Sequence, residues 1–139
     1  MWYFATKNGK VTKLDPGVHG LSNDVINSPW PKVEICRDSF IHKILKKKIV
    51  DVESIFKCMS NTDQYPDEIL PDTGVGIELE RYFSSIFIPG NKFGYGTRCT
   101  TIILVDSNDH VDYYERSYKP GLVKIKDIHI DFDMEDQSL

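Results

Sequence analysis

Two short segments carry residue types that could meet a ligand. In Gly94-Tyr95-Gly96-Thr97-Arg98, glycines let the backbone approach a bound molecule closely, and the guanidinium offers paired donors to a carboxylate or phosphate. The segment is not a phosphate-binding loop, because no Gly-Lys-Ser/Thr follows. It also precedes a strand pattern rather than the helix that a dinucleotide fingerprint requires. In Gly20-Leu21-Ser22-Asn23 the Asn23 amide is either an oxyanion donor or an ordinary turn residue. Residue types alone favour a glycine-rich strand entry with an exposed arginine for the first segment, and a turn for the second.

The remaining chemistry-bearing residues read as structural. Cys36, Cys58 and Cys99 are too widely spaced for a zinc site or a Cys-x-x-Cys pair, which predicts reduced thiols and no metal centre. Arg98 beside Cys99 is a setting that can activate a thiol, but the surrounding strand pattern predicts a buried, inert cysteine. His19, His42, His110 and His129 show no ligand spacing and read as surface or packing residues. Lys43, Lys46, Lys47 and Lys48 read as a solvated helix end, with contact to anionic lipid, worth about 1 kcal/mol each, as the alternative. Glu115-Arg116-Ser117 reads as part of a cross-strand charge pair.

The elements that must position these residues follow from pattern. Trp2–Ala5 and residues 11–14 flank Asn8-Gly9, which predicts a hairpin closed by a tight type I′ turn. Asp15-Pro16-Gly17 breaks the second strand, and a short extended piece follows over 18–23. Ser28-Pro29 is a helix start, and Val33, Cys36, Phe40 and Ile44 recur at three- and four-residue spacing, predicting about four turns of helix. Asp51 is placed to cap a second helix with Val52, Ile55, Phe56 and Met59 on one face. Residues 60–76 read as a long loop rich in turn formers. Strands are predicted over 83–88, 98–106 and 111–118, and a final strand through Val123, Ile125, Ile128, Ile130 and Phe132 changes phase at Asp127, predicting a bulge there. The fold class is α+β, antiparallel sheets with packed helices.

Length and charge bound the rest. The 139 residues suffice for one core, since a chain of this size buries about two-thirds of its unfolded surface. With 17 basic against 21 acidic residues and a net charge of −4, no broad attraction to phosphate backbones arises, so nucleic acid is not an expected partner. No apolar run, residues 102–105 included, approaches the roughly 20 residues of a membrane span, which predicts no transmembrane segment and at most peripheral membrane contact.

Taken together, Pro16-Gly17-Val18-His19-Gly20-Leu21-Ser22-Asn23, Ser28-Pro29-Trp30-Pro31-Lys32-Val33, Phe93-Gly94-Tyr95-Gly96-Thr97-Arg98, Thr101-Ile102-Ile103-Leu104-Val105-Asp106 and Glu115-Arg116-Ser117-Tyr118 resemble the transport and Golgi organization family in order and spacing, over residues 2–118. The resemblance implies an NRDE-type domain like the N-terminal-nucleophile hydrolases, an αββα sandwich. Residues 1–126 would be the C-terminal part of that domain, and 127–139 a final strand and acidic tail.

In such domains a cysteine follows the initiator methionine, whereas Trp2 follows Met1 here, and the family's Asn-Arg-Asp-Glu motif has no counterpart. The resemblance thus implies no catalytic residue and a non-catalytic trafficking protein concerned with Golgi organization, protein secretion and haem mobilisation. The alternative is a truncated N-terminal-nucleophile amidohydrolase. It further implies a cytoplasmic protein associated with Golgi or mitochondria and a small-molecule or haem cargo, without a resident cofactor. The missing amino-terminal half of the domain would be its partner. No haem-ligand signature accompanies that cargo. Asn23, Gly94, Gly96 and Arg98 would line the pocket, Asn23 as an oxyanion or substrate contact and Arg98 orienting the nucleophile end. An incomplete sandwich predicts exposed edges, an open apolar face and self-association.

Overall fold

The computed structural model describes residues 1–47 and 49–135. It is a mixed α+β protein with one two-stranded and one three-stranded antiparallel sheet. The chain divides into two compact units, Met1–Ile86 and the residues from Phe87 onward.

The first unit opens with the expected hairpin. Strand β1 (Trp2–Ala5) pairs with β2 (Lys10–Lys13), with Phe4 opposite Val11 and Ala5 opposite Lys10. Its loop, residues 6–9, is wider than the type I′ turn predicted. Gly9 takes the positive φ of 62°, and its N–H reaches Ala5 O at 2.9 Å. Asn8 instead accepts from Lys10 N through Oδ1 at 3.0 Å, so its side chain closes the loop without the backbone entering the left-handed region.

Helix α1 (Pro31–Ser39) continues through a π-helical turn, Phe40–Ile44. It starts two residues later than Ser28-Pro29 suggested. The Ser28 hydroxyl donates to Val25 O at 2.7 Å and belongs to the preceding turn, so Pro31 takes the first helical position, where a missing N–H costs nothing. Helix α2 (Val52–Met59) is capped by Asp51 as expected, Oδ1 accepting from Ser54 N at 3.3 Å. Val33 and Ile44 from the first helical run, and Ile55 and Phe56 from α2, are buried, which is where the helical spacing put them.

The stretch after α2 holds a single 3-10 turn, Asp67–Ile69, and leads into α3 (Ile77–Tyr82). Arg81 of α3 grips Asp67 in a fork, Nε to Oδ1 at 2.9 Å and Nη2 to Oδ2 at 2.6 Å. The strand predicted over 83–88 does not form; those residues are irregular. Phe83 O accepts from Lys32 Nζ and Ile88 N donates to Thr97 Oγ1, so side chains satisfy backbone groups that a strand would have paired. A short apolar run does not by itself distinguish a strand from a buried irregular segment.

The second unit is a meander in the order β3-β4-β5, comprising β3 (Cys99–Val105), β4 (His110–Lys119) and β5 (Val123–Asp133). Asp106 Oδ1 accepts from the amides of Asn108 and His110, fixing the predicted turn. The register between β4 and β5 shifts at Ser117/Tyr118, where Lys126 and Lys124 are the partners. The extra residue is therefore Ile125, two positions before the expected Asp127. Phe87 is fully buried, edge-on to Tyr118 at 4.8 Å between ring centres.

The two faces of this sheet differ in kind. On one, Arg116 holds Asp127 of β5 through two nitrogens at 2.9 Å, the cross-strand charge pair expected, with Lys124 on the same carboxylate at 2.7 Å. His129 lies flat on Tyr114, 4.1 Å between ring centres, with Nε2 at 2.7 Å from Asp112. On the other face Ile103 is 61% exposed and Phe132 51%, with Val105 and Ile130 similarly open. Cys99 is exposed, contrary to the burial predicted for it, because it lies on that open face, whereas its strand neighbours Thr100 and Ile102 on the other face are buried. Among the described residues no helix is long and apolar enough to cross a membrane.

Two expectations follow. Open apolar faces of this kind associate, so sedimentation velocity will show concentration-dependent self-association that the double change Ile103→Lys and Ile130→Lys weakens; a monomer at all concentrations would contradict it. The β4–β5 pairing will also be pH-dependent. Hydrogen bonds from Arg116 and from His129 hold the Asp127 and Asp112 carboxyls below their ordinary range, a contribution present above about pH 4 and lost as pH falls. Asp133 raises His110, a contribution present below about pH 6.5 and lost as pH rises through the raised value. Amide exchange in β4 and β5, corrected for intrinsic rate, will be slowest between those limits, and His110→Asn will remove only the alkaline arm.

Candidate functional site

The first unit contains a cavity of about 590 Å³ whose walls come from the loop before α1 and from the helices. Its placement begins with glycine. A Cβ on Gly20 would stand 2.7 Å from Val33 Cγ1 and 3.1 Å from Arg37 Cδ, so only a residue without a side chain lets the loop lie this closely on α1.

Gly20 and Asn27 then close the loop on itself. Gly20 N donates to Asn27 Oδ1 at 3.0 Å, and Asn27 N donates to Gly20 O at 2.7 Å. Asn27 adopts a left-handed φ of 57°, which asparagine tolerates better than most residues. Its Nδ2 donates to His19 Nδ1 at 3.0 Å, while His19 Nε2 donates to Asp15 O at 2.9 Å. A carbonyl can only accept, so this network fixes the His19 tautomer and occupies both ring nitrogens. The hairpin holds the far side, Tyr3 OH accepting from Ile26 N at 3.1 Å and Lys7 pairing with Asp24.

The cavity is predominantly apolar, with Val18, Leu21, Val33, Phe40 and Ile86 in its walls. Two cations also line it. Arg37 is anchored by Nε to Val18 O at 3.2 Å, and Lys32 by Nζ to Phe83 O at 2.9 Å. Burial pushes the Lys32 ammonium down in pKa, and the Glu80 carboxylate nearby counteracts this. Lys32 also lies over the Trp30 ring, 5.6 Å from its centre.

Sulfur forms part of the same wall. Cys36 and Met59 line the cavity, with Cys36 Sγ at 3.8 Å from Met59 Sδ. Burial first, then charge repulsion and hydrogen bonding with Cys58, push the Cys36 thiol up to about 11. Cys36 is therefore a protonated thiol at neutral pH and a poor nucleophile. The wide sequence spacing of Cys36 and Cys58 concealed this pairing; its one signal was that Cys36 and Met59 both occupied predicted helix stripes on consecutive helices.

Lys32 also lines a smaller cleft of about 190 Å³, together with Asn23, Glu80 and Ser84. Glu80 is buried there and accepts from Thr73 N at 2.6 Å. Asn23 is thus an exposed residue at a cleft edge. Gly94, Gly96 and Arg98 stand together in the second unit, in the turn before β3. A Cβ on Gly96 would meet Gly90 Cα at 2.3 Å, so close backbone packing already requires that glycine. Gly94 takes a φ of 63° in open space. Arg98 is exposed, and its carbonyl accepts from Tyr118 N at 2.8 Å. Asn27, Arg37, Lys32 and Glu80 are the site residues that the sequence reading missed.

Asn27→Ala will destabilise the chain by about 2 kcal/mol, because it adds φ strain to the loss of one part-buried and one exposed hydrogen bond. Asn27→Gly, which keeps the backbone conformation but not the bonds, will cost less. Urea unfolding of the two variants measures the difference, and equal costs would show that the left-handed backbone carries no strain.

The comparisons with known proteins agree with the motifs. The family model for Transport and Golgi organisation 2 matches residues 1–120. The Transport and Golgi organization protein 2 homolog of Homo sapiens is 35% identical over 113 residues, covering 75% of this chain and 40% of that protein. The Mus musculus homolog is 34% identical over 112 residues with the same coverage, and that of Bos taurus 28% over 112 residues. The chain thus spans about 40% of the length of the curated relatives it matches. The loop on α1, both clefts and the Gly94–Arg98 turn all lie inside the matched residues, and the chain belongs to the Transport and Golgi organisation 2 family.

Proposed function

We propose that this chain is a non-catalytic intracellular trafficking protein whose first unit carries a small amphipathic molecule, with haem as the candidate cargo. The observation that carries the reading is the cavity, which combines apolar walls with two anchored cations, Arg37 and Lys32. Its volume of about 590 Å³ falls in the range of small-molecule sites. An apolar body with a carboxylate edge matches that lining, since the walls take the body and the guanidinium and ammonium take the charge.

The residues bear on how such a cargo would be held. Both nitrogens of His19 are engaged in the loop network, and Cys36 keeps its proton at neutral pH. The engaged ring of His19 does not favour axial ligation of iron, so contact between propionate groups and cations is the proposed mode. The protonated thiol of Cys36 also fits a holding site better than a nucleophilic one. Asn23, beside Lys32 at the smaller cleft, is assigned a polar contact to the same cargo. Gly94, Gly96 and Arg98 are assigned an anion contact through the exposed guanidinium.

Titrating haem into the purified chain tests the reading. A saturable Soret shift at micromolar haem is expected, with affinity lowered about tenfold in Arg37→Ala through loss of one charge-assisted hydrogen bond. An unchanged Soret band would overturn the cargo assignment, and hydrolysis of amides by the same preparation would overturn the non-catalytic one.

A further inference from the structure

The sulfur atoms at the end of α2 form a group that an apolar cargo site does not require. Cys36 on α1 places Sγ at 3.8 Å from Met59 Sδ on α2. Cys58, the residue before Met59 in α2, is a hydrogen-bond neighbour of the Cys36 thiol. All three side chains are half-buried. Beside them, Tyr65 carries a buried hydroxyl with no hydrogen-bond partner among the described residues; burial first, then the nearby Asp63 and Cys36, raise its pKa. A buried hydroxyl without a partner is costly and calls for an explanation.

Two thiols and a thioether converging from adjacent helices are the donors that soft metal ions select. We propose that Cys36, Cys58 and Met59 form a binding site for a soft monovalent ion, Cu(I), at the seam between α1 and α2, with the Tyr65 hydroxyl next to it. The spacing fits. Three sulfurs around one ion, each at about 2.3 Å as in metal–thiolate bonds, stand about 4 Å from one another, and the Cys36 to Met59 separation is 3.8 Å before any ion is bound.

Zn(II) is the less suitable occupant. It takes four ligands drawn from thiolate, imidazole and carboxylate, and among the described residues no three of His, Cys, Asp and Glu come together to hold a metal. Binding is a proton exchange without redox change: Cu(I) bonds to both sulfurs, the two S–H bonds give up their protons to solvent, and the thioether donates a lone pair. The proposal is independent of the haem reading, because it needs only the sulfurs and not the anchored cations.

The test is anaerobic titration of the reduced full chain with Cu(I) against a chromogenic Cu(I) chelator. One ion per chain will be withdrawn from the chelator, with an ultraviolet thiolate-to-copper band, and X-ray absorption will show a sulfur shell at about 2.3 Å. Cys36→Ser and Cys58→Ser will each weaken binding by at least about tenfold and Met59→Leu by about tenfold, while Cys99→Ser will leave it unchanged. Retention of all copper by the chelator, a nitrogen or oxygen shell, or undiminished affinity in the double Cys36→Ser, Cys58→Ser chain would each overturn the site. Stoichiometry and absorption on the unaltered chain decide the matter even where a serine variant fails to fold.

Discussion

The cavity of the first unit exists because a backbone without a side chain lies directly on a helix. Gly20 sits where any Cβ would enter Val33 and the stem of Arg37, and that contact sets the distance between the loop wall and the α1 wall. The loop then needs an independent means of staying closed, which Asn27 supplies by bonding Gly20 at both its donor and its acceptor. Asn27 is suited to this twice over, since its amide offers both kinds of group and its backbone accepts a left-handed conformation. His19 extends the closure to Asp15, so the rim is a chain of hydrogen bonds running back to the turn that ends the hairpin.

That architecture leaves the charges in an unusual position. Arg37 and Lys32 each give a hydrogen bond to a backbone carbonyl, which places cations in an apolar wall with no carboxylate ion-paired to either among the described residues. Lys32 shows the consequence, because its burial favours the neutral form and Glu80 only partly counters it. A cation held this way has more to gain from an incoming anion than one on the open surface, where water already solvates it. The same reasoning separates the two units. The ion pairs of the β4–β5 sheet are satisfied within the protein, Asp127 by Arg116 and Lys124 together, and stabilise strand pairing rather than waiting for a ligand.

What the sequence revealed was local and periodic. The hairpin, the Asp51 cap, the buried stripe of Val33, Ile44, Ile55 and Phe56, and the meander were all legible because each rests on neighbours within a few residues. The errors share the opposite character. Ser28 looked like a cap until its hydroxyl proved to serve Val25, and residues 83–88 looked like a strand because apolar content alone cannot show where the backbone bonds go. Cys99 looked buried because alternation does not show which face of a strand is covered, and the covered face is that of Thr100 and Ile102. At the site, Asn23 and Arg98 attracted notice through residue type, whereas Asn27 and the Cys36–Cys58–Met59 group depend on contacts between segments that no spacing rule connects.

The family correspondence and the structure support different parts of the chain to different depths. The matched residues, 1–120, include the loop, the helices, both clefts and strands β3 and β4. Strand β5 begins at Val123, beyond that match, and the Arg116–Asp127 fork and the His129–Tyr114 stack that tie it to β4 rest on this chain alone. Polar pairing on one face and exposed Ile103, Ile130 and Phe132 on the other give a sheet that is held in register from one side only. Register is specified most strongly where a face is buried, so the charge pairs carry more of that task here than in a sheet packed on both sides. The first unit, by contrast, fixes its geometry by burial and by the closure at Gly20, and its cavity depends on both.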